Sequence, residues 1–180
     1  WQFNHNPVND AWRLTERKGK LTFHALKSKN FWFARNTLTQ KTMGYAGIAT
    51  VKMEWNNKDL VDGQHCGLAC MGNHNWTIGI KQENGKQYVY LAKGDELIQQ
   101  KPFKGNAIYL RMDADATSNE YQLFYSSDNK QFSTLGDKFP MEFGHWKGVH
   151  IGLYCYNVAD NVGQVSFDDF TYTHDGPKMN

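Results

Sequence analysis

The chain has 180 residues, of which 40% are hydrophobic and only four are proline, a composition typical of a folded globular domain. Its 20 basic and 18 acidic residues leave a net charge of +2 with no basic cluster, so nucleic acid and anionic membranes are poor candidate partners. The length favours a single domain over residues 1–180, and no apolar stretch reaches the roughly 20 residues that span a bilayer.

Strand patterns recur along the chain, whereas no window keeps the apolar 3.6-residue period of a helix. We expect strands at 20–26, 45–55, 65–71, 75–81, 86–92, 96–101, 107–113, 120–126, 149–156 and 164–173. Turns rich in Gly, Asn and Asp separate them. This pattern predicts an all-β fold, a two-sheet antiparallel jelly-roll sandwich.

Two irregular segments, 1–7 and 31–40, carry aromatic side chains without a strand period. Such segments dock against a folded body. The planar, donor-rich side chains of Arg35 and Asn36 are expected to hydrogen-bond loop backbone as a structural clamp. Trp32 and Trp146 fall in loops and are candidate sugar-contacting rings, with docking onto another domain as the alternative for Trp32. Trp55 and Trp76 have the parity of core residues.

The segment 149–156 has the most regular alternation in the chain. Val149, Ile151, Leu153 and Cys155 form one face, which we assign to the core. The other face presents His150, Tyr154 and Tyr156, and rings with polar tips suit a surface that contacts a sugar or a neighbouring domain. Burial of this face under a second sheet or a loop is the alternative.

In the following strand the apolar parity switches between Phe167 and Phe170, which predicts a β-bulge or a buried, hydrogen-bonded aspartate at Asp168 and Asp169.

The three cysteines, Cys66, Cys70 and Cys155, are predicted to be buried free thiols. Cys66 and Cys70 lie about 13 Å apart along one strand, beyond the reach of a disulfide. A zinc site from these two with His65 and His74 is disfavoured, because the spacing fits no closed tetrahedral pattern.

Several motifs together resemble the C-terminal β-sandwich domain of family 43 glycoside hydrolases of the β-xylosidase type, also classed as family 91 carbohydrate-binding modules. They are WQFNHNP at 1–7, LTER at 14–17, ARNTLTQ at 34–40, GLA at 67–69, WTIG at 76–79, the segment 148–156 and FDDF at 167–170. The resemblance covers nearly the whole chain. It implies a concanavalin A-like sandwich that follows a five-bladed catalytic propeller, and the start at Trp1 suggests a piece of such a longer protein.

The resemblance also implies a function. The domain would help to close the substrate pocket of an enzyme that degrades xylan or arabinan, either a β-xylosidase or an α-L-arabinofuranosidase, in a secreted or periplasmic setting. Its partners would be the propeller of the same chain and xylan, arabinoxylan or their oligosaccharides. The segment 148–152 matches the part of the family that reaches the pocket, with His150 where relatives often carry phenylalanine.

Catalysis by this chain alone is not expected, because no carboxylates pair at the spacing that glycoside hydrolysis needs. Asp113 and Asp115 are better explained as turn residues; if they are functional, calcium is the favoured ligand, and no other cofactor is expected. The main alternative function is an autonomous xylan-binding module that uses the tyrosine-rich face.

Overall fold

The computed structural model describes residues 1–140, 142–144 and 148–176. Within these residues the regular structure consists of sixteen strands and two short 3-10 turns, Asn9–Ala11 and Phe31–Phe33. The strands are β1 (Gln2–Phe3), β2 (Trp12–Arg13), β3 (Leu21–His24), β4 (Leu26–Lys27), β5 (Thr37–Lys41), β6 (Ala46–Glu54), β7 (Gln64–Met71), β8 (Trp76–Glu83), β9 (Lys86–Lys93), β10 (Glu96–Pro102), β11 (Ala107–Asp115), β12 (Glu120–Ser126), β13 (Ser133–Thr134), β14 (Phe139–Pro140), β15 (His150–Asn157) and β16 (Gln164–His174).

The strands form two sheets, which confirms the predicted all-β sandwich. Sheet A has the order β1-β5-β15-β7-β8-β9-β10, with β4 beside β15. Sheet B has the order β13-β12-β11-β6-β16-β3-β2, with β14 beside β12. All pairings are antiparallel except that of β4 with β15. No helix of the described residues is long and apolar enough to cross a membrane.

Turn chemistry connects the strands as the sequence predicts. Asn84 and Gly85 both have positive φ, at 50° and 70°, and they join β8 to β9. A two-residue hairpin turn with positive φ at both positions matches the right-handed twist of the strands. The Asn-Gly pair therefore fixes the register in which Glu83 faces Lys86.

The core lies between the two sheets and takes the residues of predicted core parity. These include Val149, directly before β15, and Ile151, Leu153 and Cys155 within it. Trp55 is also buried there, and Trp76 packs against the core and stacks on Phe139 with ring centres 4.2 Å apart.

The prediction of buried free thiols is confirmed for all three cysteines. Cys66 and Cys155 are register partners on β7 and β15, so these two thiols lie opposite each other on neighbouring strands. Burial raises the pKa of Cys66 well above its ordinary value, and burial likewise raises the pKa of Cys70.

A β-bulge interrupts β16 where the sequence shows its switch of parity. The register of β16 against β6 shifts between Asp168 and Thr171, and Asp169 has a left-handed φ of 49°. The Asp168 carboxylate accepts a hydrogen bond from the backbone N–H of Asp169 at 2.9 Å. The extra residue lets Phe167 point to the core and Phe170 pack against its edge.

Candidate functional site

The outer face of sheet A, the side that points away from the core, is aromatic. Tyr154 of β15 lies beside Gly67 of β7, Gly67 beside Gly79 of β8, and Gly79 beside Tyr90 of β9. The two glycines leave a gap in this row, and the tyrosines reach across it so that their hydroxyl oxygens lie 2.6 Å apart. The sequence does not tell which strands are neighbours, and the structure aligns tyrosines of β15 and β9 in one row.

The two glycines are required by the close approach of β7 and β8. A Cβ atom at Gly67 would collide with the carbonyl oxygen of Ile78, and one at Gly79 would collide with the carbonyl oxygen of Cys66. Both obstacles are backbone atoms of the neighbouring strand, which cannot turn aside as a side chain can.

A second row of rings runs beside the first. His65 of β7 stacks on Tyr156 of β15 with ring centres 5.0 Å apart and planes within 5°, and it meets Tyr90 edge-on at 5.3 Å. Burial, with a smaller contribution from the charge of Lys81, lowers the pKa of His65 to about 4. The imidazole is therefore neutral at pH 7 and packs as an aromatic ring.

A 3-10 turn covers this aromatic face. Phe31 places its ring edge-on to Tyr154 at 5.1 Å, and Phe31, Ala34, Tyr90, Tyr154 and Tyr156 belong to one buried cluster. Tyr154 has no exposed surface at all. The structure therefore shows this face covered by an irregular segment, which was the alternative prediction. The role of Tyr154 and Tyr156 in sugar binding stays a prediction.

The covering segment is held by the two residues expected to act as a clamp. Arg35 donates two hydrogen bonds to the carbonyl oxygen of Asn6, from Nε at 3.0 Å and from Nη2 at 2.8 Å. The buried Asn36 donates from Nδ2 to the carbonyl oxygens of Ala11 at 2.9 Å and His24 at 2.7 Å. These four hydrogen bonds fasten the segment to the amino-terminal part of the chain.

Exposed aromatic side chains lie on this covering segment. Trp32 and Phe33, next to the buried Phe31, have 51% and 55% of their surface exposed. The His5 ring nitrogen Nε2 contacts the Trp32 carbonyl oxygen at 2.8 Å. A rigidly held segment that presents two large apolar rings is suited to contact with another molecule or domain.

His150 begins β15 and lies between Lys41 of β5 and Met71 of β7. Its side chain is buried. The loop before it was expected to present Trp146, which lies outside the described residues. The same loop presents Phe143, which is 76% exposed and lies near Gly148. Nothing in the sequence marks Phe143 as a site residue, because a lone ring in a loop has no period.

Asp113 and Asp115 lie on sheet B, away from this face. Asp113 accepts two hydrogen bonds from Arg111, at 2.5 and 2.7 Å. Asp115 closes a turn by accepting hydrogen bonds from the hydroxyl and backbone N–H of Thr117, which lower its pKa to about 2. Among the described residues no three His, Cys, Asp or Glu side chains come together as a metal site. Calcium binding at these two residues stays a prediction.

Comparison with known proteins identifies the fold family. Residues 1–173 match the family described as the β-xylosidase C-terminal concanavalin A-like domain. This chain belongs to that family. Curated relatives include a β-xylosidase of Formosa agariphila, 32% identical over 99% of this chain and 33% of its own length, and a putative β-xylosidase of Xylanibacter ruminicola, 30% identical over 84% of this chain and 28% of its own length.

Solved structures agree with the family assignment. A protein described as a bifunctional GH43-CE of Bacteroides eggerthii superposes with a TM-score of 0.89 at 25% identity, over 98% of this chain and 24% of that one. A yeast protein of unknown function shares the fold, with a TM-score of 0.66 over 98% of this chain and 97% of that one. This member of the β-xylosidase C-terminal domain family thus spans about a third of the length of the curated relatives it matches.

Proposed function

We propose that this chain is the accessory C-terminal domain of a glycoside hydrolase that acts on xylan or arabinan, of the β-xylosidase or α-L-arabinofuranosidase type. It packs against a catalytic propeller of the same protein and helps to close the substrate pocket. Family membership over residues 1–173, with relatives about three times as long, supports an accessory role. A secreted or periplasmic location is part of this proposal, because polysaccharide substrates lie outside the cytoplasm.

One observation carries the docking role. The rings on the outer face of sheet A are covered, whereas the apolar side chains at its margin, Trp32, Phe33 and Phe143, are exposed. Exposed apolar rings on fixed backbone are typical of an interface. They suit contact with another domain better than the stacking of sugars on the outer face of sheet A.

The loop that precedes β15 is our candidate for the contact with the pocket. It rests on the turn after β7, where the backbone N–H of Asn73 donates to the carbonyl oxygen of Glu142 and the His74 ring contacts the Glu142 carboxylate. This support leaves the Phe143 ring in solvent and places His150 at the base of the loop.

The test compares His150→Ala and Phe143→Ala with Tyr45→Ala in the full-length enzyme. Tyr45 is the matched control, because it is 72% exposed and precedes β6 of sheet B. We expect both loop variants to raise KM for xylobiose and xylotriose about tenfold, as loss of roughly 1.4 kcal/mol of binding does, while Tyr45→Ala does not. Unchanged kinetics in both loop variants would reject the pocket role.

The second candidate function is an autonomous xylan-binding module, which the half-exposed rings of Trp32 and Phe33 favour. Calorimetric titration of this chain with soluble arabinoxylan and xylohexaose tests it. A saturable signal that Trp32→Ala abolishes would support independent binding. The absence of heat from the folded chain would leave the docking role as the function of these rings.

A further inference from the structure

The core holds two neighbouring thiols that the proposed function does not use. Cys66 of β7 and Cys155 of β15 are direct register partners, and neither has any exposed surface. Opposed residues of an antiparallel pair point to the same face of the sheet, and both cysteines belong to the core between the two sheets. The register of the strands therefore places the two thiols next to each other.

Backbone contacts show which kind of antiparallel pair the two cysteines form. The N–H of Cys155 donates to the carbonyl oxygen of Asn36 at 3.0 Å, so the backbone polar groups of Cys155 point away from β7. A Cβ atom at Gly79 of β8 would lie 1.9 Å from the carbonyl oxygen of Cys66, so the backbone of Cys66 points towards β8 and away from β15. The cysteines are consequently a non-hydrogen-bonded pair, in which the Cα atoms approach to about 4.5 Å.

This geometry suits a disulfide bond. Disulfides join Cα atoms that are about 4.4–6.8 Å apart, with Cβ atoms about 3.5–4.5 Å apart. Opposed residues have Cβ atoms about 4.5–5.5 Å apart, and non-hydrogen-bonded pairs are the closer ones. A small approach of the two side chains therefore brings the sulfur atoms within bonding distance. The third thiol, Cys70, lies opposite Ile151 of β15 and Trp76 of β8, and has no cysteine beside it.

The contacts of the two sulfur atoms are weak enough to survive oxidation. The Cys66 thiol donates to the carbonyl oxygen of Ile80 at 3.6 Å, a distance at which the loss of the hydrogen costs little. Gln64 Nε2 donates to the Cys155 sulfur at 3.6 Å, and a disulfide sulfur can still accept this contact. No charged group has to move.

The burial of the thiols determines when they can react. Burial, followed by the contact with Cys155, raises the pKa of Cys66 well above its ordinary value. The thiolate is the reactive form, so the folded chain protects its thiols from oxidants. Pairing therefore takes place during folding, while the two strands come together and the thiols are still in contact with solvent.

We propose that Cys66 and Cys155 form a cross-strand disulfide when the chain folds in the presence of a disulfide oxidant. One cysteine thiolate attacks the S–S bond of the oxidant, which forms a mixed disulfide and releases one thiol. The second cysteine attacks the mixed disulfide, so that the Cys66–Cys155 bond forms and a second thiol leaves. Two electrons and two protons pass from the cysteines to the oxidant. The bond fastens β15 to β7, and it does not depend on the docking or pocket role.

The first test counts thiols after refolding. This 180-residue chain is reduced in urea and refolded at about pH 8 with a mixture of oxidised and reduced glutathione, then unfolded in acid and alkylated. Mass spectrometry should find one alkylated thiol, at Cys70, and a peptide with Cys66 linked to a peptide with Cys155. Three free thiols, a lasting glutathione adduct or a link to Cys70 would overturn the proposal.

The second test measures what the bond does to stability. We expect the oxidised chain to have a Tm about 5–10 °C above that of the reduced chain, because the link closes a loop of about 90 residues in the unfolded state. Cys66→Ala and Cys155→Ala should abolish this difference. Cys70→Ala, which removes another buried thiol, is the matched control and should retain it.

The two measurements support each other. The thiol count uses the parent chain, so it decides the pairing even where an alanine variant folds poorly. Equal Tm values for the oxidised and reduced parent, or a difference that Cys66→Ala retains, would reject a bond that fastens β15 to β7. Neither measurement involves a sugar or a second domain, so their outcome is independent of the proposed function.

Discussion

The outer faces of the two sheets follow the same alternation in sequence, but they differ in what covers them. On sheet A the face carries Tyr90, Tyr154 and His65, and it is closed by Phe31. On sheet B the corresponding face carries ion pairs, such as Lys52 with Glu54 at 3.0 Å, and stays partly open to water.

The difference shows how each face satisfies its polar groups. The buried hydroxyls of Tyr90 and Tyr154 bond to each other, so their burial leaves neither unpaired. The ion pairs of sheet B remain hydrated, where such pairs contribute little to stability. The stability of the outer face of sheet A therefore depends on close packing, whereas the outer face of sheet B tolerates substitution. Substitutions on the two faces should separate these two modes of stabilisation.

The largest effect is expected from adding a methyl group between β7 and β8. Gly67→Ala would force a Cβ against the backbone of Ile78, and we expect a loss of about 3 kcal/mol or more in the free energy of unfolding. Gly47→Ala in β6 of sheet B is the control, since its Cβ meets only the side chain of Tyr172. Urea unfolding measures both, and equal losses would contradict the comparison.

Removing the cover of sheet A should have the next largest effect. Phe31→Ala deletes a buried ring that packs on Tyr154, and such deletions cost about 3–5 kcal/mol at full burial, so a loss of about 3 kcal/mol is expected. Phe132→Ala is the counterpart on sheet B, where a half-buried ring packs on Arg111. We expect it to cost about 1 kcal/mol by the same area argument. Similar losses by denaturant unfolding would mean that Phe31 is not a structural cover.

The half-buried imidazole of His65 predicts a dependence of stability on pH. The pKa of His65 is lowered to about 4 in the folded chain, below the value of about 6.5 of an unfolded chain. The unfolded state therefore binds more protons between these values, and stability falls as the pH drops from about 6.5 to 4, by an order of 2–3 kcal/mol.

Replacing His65 with Gln should flatten this part of the profile, which urea unfolding at pH 4, 5, 6 and 7 would reveal. His24→Gln, with an exposed ring beside Glu16 on sheet B, controls for the loss of a histidine. A profile for His65→Gln that falls as steeply as that of the parent would show that another group is responsible.

The smallest effect is expected on the open face. Asp113→Asn weakens the two-point contact with Arg111 on sheet B, and the free energy of unfolding should fall by less than about 1 kcal/mol. The loss should shrink further in 1 M NaCl, because salt screens exposed charges. A loss that exceeds that of Phe31→Ala would reverse the ranking of the two faces.

Much of the fold could be predicted from sequence because strand alternation and turn chemistry are local. Ile151 and Leu153 lie in the core as their parity predicts. A bulge follows Asp168, and a turn is formed at Asn84-Gly85, both as expected. The burial of Tyr154 was undecided, since it depends on Phe31, more than a hundred residues away in an irregular segment. No periodicity encodes that contact.

The candidate site could be predicted less well for the same reason. Arg35 and Asn36 were recognisable from their chemistry, and they make backbone contacts of the expected type. Phe143 was not, because the exposure of a loop ring emerges only from the assembled packing. Cys66 and Cys155 likewise face each other only once the register is known.

The positions of β15 and β16 in the two sheets have a consequence for synthesis of the chain. β15 fills the place between β5 and β7, and β16 fills the place between β6 and β3. Until both have left the ribosome, each sheet is divided, and four strand edges with unpaired backbone groups are open to other nascent chains. A cell that makes this chain must therefore protect these edges from aggregation until β15 and β16 emerge.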